Sequence, residues 1–382
     1  MALLLDVTDL CAHHTDAAIE HIYKAASEPP GEDIWAEHPS PFVRRLIELF
    51  TERGLTRTAA MRDELQKWLG GGMHREAERP ARPDGAMARW SRAELALVKL
   101  YLETLPAAAF TLDDWLMVID YLVQRYLPAD DLRGEADWLS TRAALMGSVQ
   151  AAMGEATPEQ ADKLLRAMPS SAAEAETKLG LDPVQRAVIE YGNARCAENV
   201  VAISDLARHR LRRFIVDYLE AEFLGNRAET AESLQTRLVD EFGTLNRDWR
   251  RIAVTEAGEN MNQGLVASVE AGTKLKRVEK YRGACAFCRS IDDKVVTVVS
   301  PDATNKDGDT QVWPGKTNVG RSAAPRKRVG NELVDREPHE RWWIAAGVQH
   351  PHCRGGWIKL EQGTAPVDPK FSEWMDQVLR RG

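Results

Sequence analysis

Apolar residues recur at helical spacing through the first two-thirds of the chain and give way to short β-branched runs near its end. Val200, Ile203, Leu211, Ile215, Tyr218 and Leu219 form one such stripe, which marks a helix that turns one face to a core. Asp182-Pro183 opens this segment, so it predicts one long amphipathic helix or two in line. Thr111-Leu112-Asp113-Asp114 sets a hydroxyl three residues before a carboxylate, ahead of Trp115, Leu116, Val118, Ile119 and Leu122. Thr157-Pro158-Glu159-Gln160 joins a capping box to a proline at the first helical position, where no amide hydrogen is missed. A further helical stretch is predicted from about Thr230 to Ala271, with a break near Gly243.

The punctuation is equally legible. Gly70-Gly71-Gly72 begins a span that runs through Arg79-Pro80-Ala81-Arg82-Pro83-Asp84-Gly85, which predicts a flexible linker or exposed loop over residues 70–90. Gly225-Asn226 ends the long helix. After Gly272 the texture changes: Lys294 to Val299 reads as a strand, and a polar, turn-rich span follows from Pro301 to Val329. Glu340 to Ala346 predicts a short helix carrying Trp342 and Trp343, Trp357 to Leu360 a closing strand, and Phe371 to Leu379 a terminal helix. The fold class is therefore mainly α. A helical N-terminal region spans residues 1–225, a small α+β module residues 226–362, and a tail residues 363–382.

With 382 residues the chain has room for two or three domains, and its hydrophobic fraction of 44% is that of an ordinary globular protein. A formal charge of -8 argues against indiscriminate binding of nucleic acid over the whole surface, though not against one basic patch. The opening Met1-Ala2-Leu3-Leu4-Leu5-Asp6 is too short for a signal peptide, and no segment approaches a bilayer span. The expectation is a protein kept in a reducing cytoplasm, with no membrane and no small-molecule substrate. Cys11 and Cys196 then read as lone thiols, not as a disulfide framework.

Three of the five cysteines fall in two short motifs, Cys285-Ala286-Phe287-Cys288 and His350-Pro351-His352-Cys353. Two thiolates two residues apart can grip one metal from a tight turn, and a second knuckle offering imidazole and thiolate can complete a tetrahedron. A redox reading of the first motif needs a strand before it; here a strand follows it instead. The predicted ligands are Cys285, Cys288, Cys353 and one histidine. His350 is preferred, which leaves His352, the alternative ligand, to face solvent or stack on Trp357. Four protein ligands leave no position open for water, so the expected Zn2+ is structural, and no enzyme activity is expected.

As an ordered set, these residues resemble a known family. Arg251-Ile252-Ala253-Val254-Thr255-Glu256 precedes Asn260, Asn262 and Gly264; then come Cys285 to Val295 and His350-Pro351-His352-Cys353-Arg354. This order is similar to the head-morphogenesis domain of tailed bacteriophages, the phage Mu F-like minor head proteins, over roughly Leu224 to Leu360. Two positions depart from the pattern. Gly355 stands where the family ends on a cysteine, and Asp293 where a glycine is common after the aspartate. The resemblance implies a low-copy protein of the virion head, made in the bacterial host cytoplasm. It implies partners among the portal, major capsid or scaffolding proteins, and a part in DNA packaging or exit.

Other constellations carry weaker expectations. Arg251, Thr255 and Glu256 are candidates for a structural tie, with Glu256 accepting from Arg251 or Arg282; the bland alternative is a solvated face. Arg289 with Asp292 or Asp293 predicts a local ion pair or an aspartate turn. Arg321, Arg326, Lys327 and Arg328 form the densest basic run, a candidate contact for DNA phosphates or an acidic partner, or simply a solvated loop. Trp342 and Trp343 point apart, one toward the metal knuckles. The competing enzyme reading is a metal-dependent nuclease with His350 or His352 as general base. That chemistry usually wants a further histidine or asparagine downstream as ligand, and none follows Cys353.

Overall fold

The computed structural model describes residues 35–84, 89–106, 109–154, 156–223, 231–360 and 368–380. Cys11 and Gly225-Asn226 lie outside them. The described chain is mainly helical, with a small sheet in its C-terminal region. Its helices are α1 (Pro41–Leu69), α2 (Arg92–Glu103), α3 (Leu112–Tyr126), α4 (Ala129–Met153), α5 (Pro158–Ala167), α6 (Ala172–Leu179), α7 (Pro183–Phe223) and α8 (Ala231–Ala267). Both predicted capping boxes form. The Thr111 and Thr157 hydroxyls accept the amides of Asp114 and Gln160, whose side chains return to the cap amides. Ser91 and Glu94 do the same for α2.

The body is built around α4, which packs against α7 and α8 and is buried on most of its circumference. Its small residues make this workable: Ala143, Ala144, Gly147 and Ser148 admit neighbouring helices to close range. Helices α7 and α8 run antiparallel, joined by Arg195–Glu256, Arg210–Glu241 and Arg237–Asp217 pairs. Helix α1 lies along α8, with Gly54 against the Trp249 ring and the Thr58 hydroxyl donating to Asn246 at 2.6 Å. These contacts explain why α8 passes unbroken through Gly243, against the sequence expectation. Phe242, Leu245 and Trp249 are all buried there, and their burial outweighs the roughly 1 kcal/mol that one glycine costs a helix.

Residues 70–84 form an exposed loop that is fastened to the body. The Arg75 amide donates to the Glu103 carbonyl at 2.9 Å, Arg79 donates to the Thr104 carbonyl at 2.8 Å, and Arg82 pairs with Asp114 at 3.4 Å.

The C-terminal region comprises β1 (Lys274–Val278), α9 (Ala286–Ile291), β2 (Val295–Val298), β3 (Gln311–Val312), β4 (Arg326–Val329), β5 (Glu332–Asp335) and β6 (Gly356–Lys359). One sheet has the order β3-β2-β1-β6, with β1 antiparallel to both neighbours; β4 and β5 form a separate hairpin. The inner face of the sheet, Leu275, Val296, Val298, Val312 and Trp357, packs with Leu265, Val266 and Val269 from the end of α8 and beyond. The predicted helix over Glu340–Ala346 is absent. Only a 3-10 turn at Pro338–Glu340 forms, and the chain then runs extended. Its amides find partners across the fold instead: Trp343 donates to Asn318 Oδ1 at 3.1 Å and Ala346 to the Lys316 carbonyl at 2.8 Å. The terminal helix, α10 (Pro369–Arg380), returns to the helical body, where Phe371 is buried and α5 and α6 are its neighbours. Among the described residues no helix is long and apolar enough to cross a membrane.

Candidate metal centre

The first knuckle is a helix start. Cys285 is the N-cap of α9, and its Sγ accepts the Cys288 amide at 3.4 Å, so the cap that begins the helix also aims both sulfurs to one side. The second knuckle is a tight reversal. The Cys353 amide donates to the His350 carbonyl at 3.1 Å, and His352 takes a left-handed φ of 67°. The reversal brings His350 Nε2 to 3.4 Å from Cys285 Sγ and 3.3 Å from Cys288 Sγ, and Cys353 Sγ to 3.9 Å from Cys288 Sγ. Bonds of about 2.3 Å to sulfur and about 2.0 Å to nitrogen, at tetrahedral angles, separate neighbouring donors by roughly 3.5–3.8 Å. Cys285, Cys288 and His350 therefore fit a metal ion, and Cys353 stands against Cys288 beside them. His350 Nδ1 lies 2.7 Å from the Pro351 carbonyl, which makes Nδ1 the protonated nitrogen and turns the Nε2 lone pair toward the sulfurs. The Trp342 ring stacks on the imidazole at 5.6 Å and 12°, fixing its plane.

His350, not His352, thus joins the thiols. Of the two places expected for His352, solvent or the Trp357 ring, the first is not taken: it is buried, and its amide donates to Thr255 Oγ1 at 3.0 Å. Its positive φ separates two histidines only two positions apart in sequence, and no sequence signal marks that choice.

The sulfurs divide the charge unevenly. Hydrogen bonding to Cys288 and His350 holds the Cys285 thiol down at about 3, whereas its bonds to Cys285 and Cys353 raise that of Cys288. Burial pushes Cys353 up, but the Cys288 hydrogen bond, His350 and Arg277 together prevail and lower it.

Three residues missed in the sequence surround Cys353. The Tyr281 hydroxyl donates to its sulfur at 3.4 Å, Arg277 Nη2 lies 3.9 Å away, and Glu279 Oε2 lies 3.5 Å away. Arg277 Nε donates to Glu279 Oε1 at 2.7 Å, a pair with no solvent exposure. Burial, with the Cys353 charge adding and Arg277 opposing, raises the Glu279 carboxyl to about 7. The available signal was alternation. In Lys274-Leu-Lys-Arg-Val-Glu-Lys280, Arg277 and Glu279 share the inward face of Leu275.

Helix α8 seats the second knuckle and the turn at Gly315. Thr255 holds the second knuckle, Glu259 Oε2 accepts the Val348 amide at 2.6 Å, Asn262 donates to the Gly355 carbonyl at 2.9 Å, and Gln263 accepts the Gly315 amide at 2.9 Å. Glu256 serves a different contact from the one expected. It is buried and faces α7, accepting from Arg195 at 3.3 Å and Asn199 at 2.8 Å, while Arg251 pairs with Asp248 at 3.3 Å. Asn260 joins the Glu256 cluster, and Gly264 lies against the backbone of α4.

The remaining candidates are largely spent on internal contacts. Arg321 stacks on Trp343 at 3.5 Å and donates to the Arg341 carbonyl at 2.9 Å. Arg326 pairs with Asp335 at 3.0 Å, and Lys327 pairs with Glu340. Arg328 is exposed on the hairpin. Trp343 packs on Trp313, away from the knuckles. Arg289 donates to the Ala284 carbonyl and not to an aspartate. Asp292 caps the Glu279 amide at 2.8 Å, and Asp293, at φ 62°, pairs with Lys276 and Lys280.

No protein family, curated protein or solved structure matches the chain.

Proposed function

We propose that this protein is a minor head protein of a tailed bacteriophage or prophage. In this reading it acts in head morphogenesis by binding the portal or the capsid interior, with a part in DNA packaging or exit. It works in the host cytoplasm during assembly and ends in the virion head. The observation that carries the reading is convergence. The residues that resemble the phage Mu F-like pattern are scattered from Arg251 to Arg354, yet Thr255, Asn262, Cys285, Cys288, His350 and Cys353 meet at one centre seated on α8. A structural Zn2+ suits this centre because its own apolar core is small, comprising Ala284, Cys288, Val348 and Cys353 with Tyr281 and Cys285 at its edge. The ion would be held by Cys285, Cys288, His350 and Cys353 and would supply folding free energy, with no turnover.

The nuclease alternative asks His350 to act as general base. Both of its ring nitrogens are engaged, Nδ1 by the Pro351 carbonyl and Nε2 by the sulfurs, which favours the structural role. Quantitative mass spectrometry of purified heads tests the assembly reading: a few copies per particle are expected. Complete absence from heads, together with cleavage of plasmid in added magnesium or manganese that a His350→Ala variant loses, would establish the nuclease instead.

A further inference from the structure

The three sulfurs of the knuckles differ in their access to solvent. Cys288 and Cys353 have no exposure. Cys353 is also walled in by Tyr281, Arg277 and Glu279, whose polar atoms lie 3.4, 3.9 and 3.5 Å from its sulfur. Cys285 is the half-buried one, on a turn where Gly283 and Ala286 beside it are exposed. A small oxidant arriving from water therefore meets Cys285 first, and oxidation of cysteine follows thiolate character and exposure.

Cys285 also has one sulfur within reach. Its Sγ and that of Cys288 lie within 4.8 Å of each other, whereas Cys353 does not join them within that range. The Cys288 amide donates to Cys285 Sγ at 3.4 Å, which keeps the first sulfur over the turn that carries the second. The surrounding elements agree with a dithiol pair. Strand β1 precedes the motif and α9 opens on Cys285, so the strand that a redox reading asks for is present, besides the β2 strand that follows.

We propose that Cys285 is a site of oxidation by hydroperoxides, with Cys288 as its resolving partner, and that the disulfide they form releases the ion. The release rests on the zinc reading above; the oxidation site does not. A metal requires thiolate ligands, and the thiolate is also the form that attacks a peroxide. The Cys285 sulfur attacks one oxygen of hydrogen peroxide. The S–O bond forms, the O–O bond breaks, and the hydroxide that leaves takes a proton from solvent. The sulfur has given up two electrons and is a sulfenic acid. The Cys288 sulfur then attacks it: the S–S bond forms, the S–O bond breaks, and a second hydroxide leaves with a second proton. One peroxide has become two waters, and two thiolate ligands have become a disulfide that no longer holds a cation. His350 and Cys353 remain, too few to retain it.

The test is to treat the zinc-loaded full chain with hydrogen peroxide, follow released Zn2+ with a colorimetric chelator, and map disulfides by mass spectrometry after alkylating the remaining thiols. One zinc should leave for each Cys285–Cys288 disulfide formed. Cys353, and Cys196 buried on α7, should stay reduced. A thiol reductant with added Zn2+ should restore the zinc content. Cys288→Ser, which has no resolving sulfur, should instead accumulate sulfenic acid at Cys285, trapped by dimedone. Should that variant fail to fold, the wild-type map still decides. A Cys288–Cys353 disulfide, oxidation that begins at Cys353, or thiols left intact while glutathione in the same solution is fully oxidised, overturns the assignment of Cys285. A wild-type chain that neither holds nor takes up Zn2+ overturns the metal reading and with it the release, while the disulfide map of that chain decides the oxidation site separately.

Discussion

Gly147 of α4 and Gly264 of α8 lie at a crossing where the two helix backbones touch. A Cβ on Gly147 would stand 2.1 Å from the Met261 carbonyl oxygen, and one on Gly264 would stand 2.1 Å from that of Ala144. Neither obstacle is a flexible side chain, so a methyl group at either position must push the helices apart. Gly264→Ala is expected to destabilise the protein by roughly 3 kcal/mol, at the upper end of overpacking penalties. Gly243→Ala on the same helix is the internal control, because nothing lies within 4 Å of its Cβ position. That change should stabilise by about 0.5–1 kcal/mol through helix propensity. Urea midpoints that move in opposite directions would support both halves; equal losses would mean that Gly264 is not closely packed in solution.

Among the described residues of the helical body, Asp120 is the most completely buried carboxylate in an ion pair. Its carboxylate has no solvent exposure and receives Arg208 at 3.2 Å and Arg212 beside it, tying α3 to α7. Removing only the anion would take this partner from Arg212 and leave Arg208 with Asp205, at the mostly buried seam of the two helices. Asp120→Ala should therefore cost about 3–5 kcal/mol. A loss below about 1 kcal/mol in chemical unfolding would show that both arginines find water when the carboxylate is gone.

The zinc reading predicts a localised response to metal removal. Chelation, or Cys288→Ser, should raise amide exchange over residues 284–289 and 348–354. It should reach the Thr255–His352 and Glu259–Val348 contacts on α8. Helix α4, whose core needs no metal, should keep its protection. Exchange maps that are identical with and without chelator would remove the structural role of the ion.

Local chemistry made much of this legible. The caps at Thr111 and Thr157 need only neighbours three residues away, and Cys285-x-x-Cys288 needs one turn of helix; both were readable from sequence. What misled was non-local. Gly243 looks like a break because its cost is local, whereas the burial of Phe242 and Trp249 that overrides it comes from α1 and its neighbours. Glu340 to Ala346 has a helical composition, but Asn318 and the Lys316 carbonyl claim its amides. Arg277 and Glu279 carry no local mark of their burial beyond their alternation with Leu275.

Lys316 gives a test by pH. Its ammonium is almost fully buried, donates to the Gly308 and Gln311 carbonyls at 2.6 and 2.7 Å, and lies 4.9 and 4.8 Å from the Trp313 and Trp343 rings. Burial, aided by Arg321 and opposed by Asp309, lowers it from the usual 10.5 to about 8. Below pH 8 the lysine is charged in both folded and unfolded chains, and the cost of burying that charge is present in full. Between pH 8 and 10.5 the unfolded chain binds a proton that the native chain has released, so stability rises with pH across that window. Lys316→Met abolishes this proton. The stability of the wild type relative to the Met variant should therefore be flat near pH 7 and climb by on the order of 1–3 kcal/mol toward pH 10.5. A difference that stays flat would mean that the tryptophan faces and carbonyls hold the ammonium form as firmly as water does.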